Sequence, residues 1–201
     1  ALSIVAALEC DEHFLIASDS EAVDNGFKFQ SVKLFDMPDI PLCCGVTGLS
    51  ASAADFKAWL TTYQWNKATW EEMKTDAETF LAELNGKWRR LQRKAGKKPD
   101  KKDITEAIIV GYVQGKGKML SLKDDGPSEF MDRGYDAIGS GGVHALVARK
   151  TAEWVQHNQG ELLVHSKNIL ALMVTVATVS APFCSRPIQG KKVTPKGVEQ
   201  W

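Results

Sequence analysis

The apolar and polar positions of this chain fall into alternating strand-like and helix-like stretches. Leu2 to Glu9 is almost wholly apolar, and Phe14 to Ala17 follows it after Asp11-Glu12, which predicts two core strands joined by a tight turn. From Phe27 to Phe35 the pattern alternates, predicting one strand with Phe27, Phe29, Ser31, Lys33 and Phe35 on one face. Leu42 to Val46 reads as a short strand, and Thr47-Gly48 leads into a helix striped by Ala53, Phe56, Leu60 and Tyr63. Thr69 and Glu72 form a T-x-x-E capping box, after which Trp70, Met73, Ala77, Leu81, Leu84, Trp88 and Leu91 repeat at helical spacing. Lys97 to Lys102 is a polar loop. Ile104 to Val113 and Lys118 to Leu122 predict a hairpin turned at Gly115-Lys116-Gly117, with a further strand near Glu129 to Met131.

Tyr135 to Ile138 then enters Gly139-Ser140-Gly141-Gly142 and a helix expected to pack through Val143, Leu146, Val147 and Trp154. Leu163 to Val179 is apolar nearly all round, which predicts a helix buried between layers. Pro187 to Val193 and Val198 to Trp201 read as a last hairpin, turned by Pro195-Lys196-Gly197. Strands, two helices, strands, two helices and strands suit a sheet pair covered by helices on both sides. No repeat or linker marks a second unit, so one domain over residues 1–201 is expected.

Charge narrows the function classes. Twenty-five basic residues balance twenty-five acidic ones, with a pI near 7.1, so no global field favours nucleic acid or an anionic membrane. The longest strongly apolar stretch, Ile169 to Val179, is far short of a bilayer span, and no signal-peptide pattern opens the chain. Cys10, Cys43, Cys44 and Cys184 form no C-x-x-C pair and read as reduced thiols, and the four histidines lack metal-ligand spacing. A cytoplasmic protein without metal or cofactor is the expectation. The Gly139-Ser140-Gly141-Gly142 turn could cradle an anion, but it lacks a dinucleotide fingerprint or P-loop, and a tight strand-to-helix turn explains it equally well. Lys33, sharing a face with phenylalanines, either snorkels or is buried with a carboxylate; Asp19, ending an apolar strand, is the candidate partner.

Taken in order, Ala17-Ser18-Asp19-Ser20, Val32-Lys33, Cys44-Gly45-Val46-Thr47-Gly48 and Ala137-Ile138-Gly139-Ser140-Gly141-Gly142 resemble the proteasome β-subunit superfamily, and within it the bacterial HslV-like peptidases. The resemblance implies an α+β fold, the four-layer αββα sandwich of two antiparallel sheets found in N-terminal-nucleophile hydrolases. It also implies a threonine or serine at residue 1 whose own α-amine, with a pKa of roughly 7.7 to 8, is the base. Lys33 would lower the pKa of both groups, Asp19 would hold Lys33, Ser140 would relay protons, and the Gly45 N–H would stabilise the oxyanion. Substrate would add as a strand near Val23 and Thr47, with Cys43 at the base of the first specificity pocket. The implied partners are further copies of the chain in stacked rings and a peptide or unfolded-protein substrate. An ATP-dependent unfoldase remains open.

Two positions depart from that pattern. Residue 1 is Ala1, without a hydroxyl, so the resemblance implies that the chain as written is inactive. Either Ala1 replaces a native threonine or serine, which the retained Asp19, Lys33, Gly45 and Ser140 favour, or the chain is a naturally silent ring subunit. Ser3 is expected on the first strand, away from the terminal amine's position. The second departure lies in Ser180 to Ser185, where the acidic residue expected before Ser185 is missing. An amidase acting on small substrates by the same chemistry is the remaining alternative.

Overall fold

The computed structural model describes residues 3–24, 27–100, 103–124, 129–131, 134–159, 166–180 and 188–201, without the side chains of 21–24, 27–30, 156–159 and 166. Two five-stranded antiparallel sheets lie between two helix pairs. The first sheet runs β10 (Tyr135–Ile138), β1 (Val5–Cys10), β2 (His13–Asp19), β11 (Ile188–Thr194), β12 (Gly197–Gln200). The second runs β5 (Leu34–Asp36), β6 (Leu42–Thr47), β7 (Glu106–Val113), β8 (Lys116–Leu122), β9 (Glu129–Phe130). A separate ribbon pairs β3 (Glu21–Asp24) with β4 (Phe27–Gln30).

Three apolar clusters define the layers. Val5, Ala7, Ile16, Leu34, Cys43, Ile108 and Val110 pack between the sheets, because alternate residues of both inner faces meet there. Ile4, Ala6, Leu15 and Ala17, from the other face of the first sheet, pack under α3 (Gly142–Gln159) and α4 (Ser166–Ser180). Leu42, Cys44, Val46 and Ile109 meet Phe56 and Leu60 of α1 (Ser50–Thr62) and Met73, Leu81 and Leu84 of α2 (Trp70–Lys94). This is the αββα arrangement expected from the element order.

The capping box is formed as read: the Glu72 N–H donates to Thr69 Oγ1, and Glu72 Oε2 accepts the Thr69 N–H at 2.7 Å. Four expectations need correction. The strand foreseen over Phe27 to Phe35 breaks at 31–33 into β4 and β5, which belong to different sheets, so alternation does not carry through Lys33. On α3 the expected packing face is largely turned out: Val143, Val147 and Trp154 are exposed, while Ala145 and Ala148 are buried. Helix α4 buries Ile169, Leu170, Met173, Val174 and Ala177 but exposes Leu172 and Val179, so it is an outer-layer helix with one core face. The β7–β8 turn is Gln114-Gly115, both at positive φ as a two-residue hairpin turn requires, one step before the expected glycines.

Candidate active site

The two-residue turn at Asp11-Glu12 sets the register of β1 against β2, pairing Cys10 with His13 and Val5 with Ser18. One step beyond the ladder, the Asp19 N–H donates to the Ile4 carbonyl at 3.3 Å. The Asp19 carboxylate is thereby set beside residues 3 and 4. Its Oδ1 accepts the Ile4 N–H at 2.9 Å and the Lys33 ammonium at 2.7 Å. Both side chains of the pair are buried, Asp19 completely and Lys33 to 6% exposure. Desolvating two charges costs several kcal/mol per ion, so the pair is expensive to keep in this place.

The loop after β10 approaches from the other side. Gly139 has a φ of 84°, and a Cβ there would overlap the Ser3 carbonyl oxygen. Its N–H donates to Glu106 Oε2 at 3.0 Å. This contact presents Ser140, whose Oγ accepts the Ser3 N–H at 3.2 Å and lies 3.3 Å from the Ser3 carbonyl oxygen. The Gly141 N–H also donates to that carbonyl, at 3.4 Å. The glycines thus bring the loop close against Ser3 and Ile4, in keeping with the tight-turn reading.

Asp19, Lys33 and Ser140 therefore converge, and they converge on the main chain of Ser3 and Ile4. Ala1 lies outside the described residues. Ser3 is not on the first strand, which starts at Val5; it sits ahead of it, 3% exposed. The hairpin turn by itself places Ile4 opposite Asp19, so the register signals residues 3 and 4 as the place where the pair meets the chain.

A cavity of about 170 Å³ opens beside these groups, lined by Ser3, Lys33, Phe35, Val46, Thr47 and Gly48, with Ala53, Ala54 and Lys57 from α1. The Lys57 ammonium stands 4.9 Å from the centre of the Phe35 ring. Cys43 is not part of this wall. Strand alternation turns it into the space between the sheets, where burial, aided by the Asp36 carboxylate, pushes its thiol pKa up and keeps it protonated. Val46 and Phe35 take the apolar wall instead.

Gly45 also lies away from the cavity. The Val46 N–H donates to the Lys33 carbonyl at 3.1 Å, so the N–H of Gly45 turns to the opposite neighbour, where it stands across from Ile108 of β7. A Cβ on Gly45 would overlap Val5 Cγ1, which places this glycine in a close contact between the two sheets. Thr47 has the same parity and stands across from Glu106. Gly48, at a φ of 112°, is the first residue beyond the ladder and reaches the cavity wall. Val23 contributes a described backbone only, in the β3–β4 ribbon across from Lys28. Ser185 lies outside the described residues.

Neither a family model nor a curated protein sequence matches the chain. Solved structures do. "Anbu (ancestral beta-subunit) from Yersinia bercovieri" superposes with a TM-score of 0.71 at 13% identity, covering 98% of this chain and 86% of that one. The Thiobacillus denitrificans protein BPH matches alone (TM-score 0.68) and in complex with epoxomicin (0.66), each at 14% identity over 96% of this chain and 98% of that one. At such identities the likeness is one of fold: the chain has the proteasome-like sandwich of N-terminal-nucleophile hydrolases.

Proposed function

We propose that the chain is a subunit of a self-compartmentalising N-terminal-nucleophile endopeptidase that cleaves peptides or unfolded proteins. The observation that carries this reading is the buried Lys33–Asp19 pair, tied through one carboxylate oxygen to the Ile4 N–H, with Lys33 and Ser3 lining one cavity. A buried pair is weak evidence for stability, whereas a fixed positive charge beside a hydroxyl favours the developing alkoxide. In this reading an α-amine takes the hydroxyl's proton, Ser140 exchanges protons with that amine, and Lys33 stabilises the oxygen that attacks the substrate carbonyl. Gly48, which lines the cavity, is the better candidate to offer its N–H to the oxyanion than Gly45, whose N–H is committed to the β7 ladder. An extended peptide would run between the β3 backbone and Thr47-Gly48, placing one side chain against Phe35 and Val46.

The exposed apolar residues Val143, Val147 and Trp154 on α3 and Leu172 and Val179 on α4 support assembly through that helix layer into stacked rings. The HslV-like branch is the finer reading of the motif spacing, and an ATP-dependent unfoldase would be the matching partner. Light scattering of the purified protein should give a mass many times 22.1 kDa. The assembled protein, with the nucleophile's hydroxyl and amine free, should hydrolyse fluorogenic peptides and lose that activity on Lys33→Ala. A folded assembly that cleaves small amides but no peptide supports the amidase, and one that cleaves neither supports the silent ring subunit.

A further inference from the structure

We infer that Ser3, and not residue 1, is the nucleophile of this site, and that the peptide bond between Leu2 and Ser3 is cut to release it. The inference rests on the peptidase reading above and adds the identity of the reacting residue. The described contacts that Asp19, Ser140 and the Gly141 N–H make with the start of the chain fall on Ser3 and Ile4. The nitrogen of Ser3 lies 3.2 Å from Ser140 Oγ, and its carbonyl is held by Ser140 Oγ and the Gly141 N–H. The next N–H, that of Ile4, shares Asp19 Oδ1 with Lys33. Ser3 and Lys33 line the same cavity.

The site therefore treats the nitrogen of Ser3 as the nitrogen of its reacting residue. Consecutive Cα atoms are about 3.8 Å apart, so a residue two positions upstream cannot occupy the same place. While Ser3 remains acylated by Leu2, its nitrogen is an amide, whose lone pair is delocalised into the carbonyl and cannot act as a base. Hydrolysis of the Leu2–Ser3 bond supplies the missing group. Water adds across the C–N bond, the Leu2 carbonyl carbon keeps the hydroxyl as a carboxylic acid, and the Ser3 nitrogen takes the proton. What remains is a serine with a free hydroxyl and an α-amine of pKa roughly 7.7 to 8, beside Ser140. On this account the methyl side chain of Ala1 says nothing about activity, because residue 1 leaves with the segment ahead of Ser3.

The test compares three proteins of verified mass and melting temperature: one beginning at Ser3, one retaining Ala1-Leu2 with Leu2→Pro to resist trimming, and the Ser3-start protein carrying Ser3→Ala. A fluorogenic peptide reports turnover, and a peptide epoxyketone reports chemistry. A hydroxyl that attacks the ketone and an amine that opens the epoxide on the same residue close a six-membered ring, read as an added mass on the N-terminal peptide. The Ser3-start protein should turn over and carry the adduct on Ser3; the other two should be slower by roughly 10³-fold or more and unlabelled. Ser3→Thr in the Ser3-start protein should keep both readouts.

Equal turnover by the Leu2→Pro protein with Ala1 still attached overturns the inference. So does activity that appears with Ala1→Thr at an intact terminus but not with Ser3 exposed; in both cases the peptidase reading survives. Absence of turnover and adduct in all of these proteins, though folded, removes the peptidase reading as well.

Discussion

Neutralising the Asp19–Lys33 pair should separate stability from activity. In Asp19→Asn the amide oxygen still accepts the Ile4 N–H, now 2.9 Å from Oδ1, but the Lys33 ammonium keeps its charge at 6% exposure with no counter-charge on residue 19. In Lys33→Met the charge remains on a carboxylate that is completely buried. Breaking a buried pair from either side costs about 3–5 kcal/mol, because an uncompensated charge is left in a poorly solvated place. The double variant Asp19→Asn/Lys33→Met removes both charges at once. Neutral replacement of a buried pair is often nearly neutral in stability, so the double variant should lose about 1–2 kcal/mol rather than the sum of the singles. Urea denaturation at one protomer concentration measures this, with unchanged m-values showing that the same surface unfolds in each case. The double variant should be folded, assembled and inactive. Strictly additive losses, or single variants costing under about 1 kcal/mol, would show that the two groups are not a desolvated pair and would remove the argument that this site is held at a cost.

Three further outcomes follow from the geometry. Gly139→Ala should cost about 2–4 kcal/mol, since its Cβ adopts a disfavoured positive φ and overlaps the Ser3 carbonyl oxygen, and should lower the midpoint in thermal melting; an unchanged midpoint would mean that the loop does not press on Ser3. Thr69→Ala should cost about 1 kcal/mol by urea titration. The Thr69 backbone and side chain hold the Glu72 carboxyl below its usual pKa, so the cap's contribution is present above the ordinary carboxylate pKa and fades as pH falls through the depressed value. Lys57, at the cavity rim, should favour substrates with an acidic side chain beside the cut, and Lys57→Glu should move kcat/KM towards basic ones; an unmoved ratio would place that side chain elsewhere.

Much of the architecture was written in local patterns. Apolar runs broken by Asp11-Glu12 and by the turns near Gly115 and Pro195 specified the hairpins, and the Thr69–Glu72 box specified where α2 begins, because these devices act between residues a few positions apart. The Lys33–Asp19 partnership was legible although the strand expected through Lys33 breaks at 31–33, because a buried ammonium demands a counter-charge and Asp19 ends an apolar strand. Tertiary structure decided what depends on neighbours remote in sequence. Whether Val143, Val147 and Trp154 face the core or solvent depends on how α3 lies over β10, which the helix's own periodicity does not contain. Successive residues of β6 point to opposite faces of its sheet, so Cys43 and Gly45 turn into the gap between the sheets and Val46 towards the helix layer and the cavity, but only the packed sheets decide which face is which. The prominence of Ser3 arises in the same way. Its hydroxyl is unremarkable in a linear reading and acquires its place only when hairpin register sets Ile4 against Asp19 and the glycine loop, more than a hundred residues later, closes on its carbonyl. Alternation records which residues share a face; only the packed chain records what that face meets.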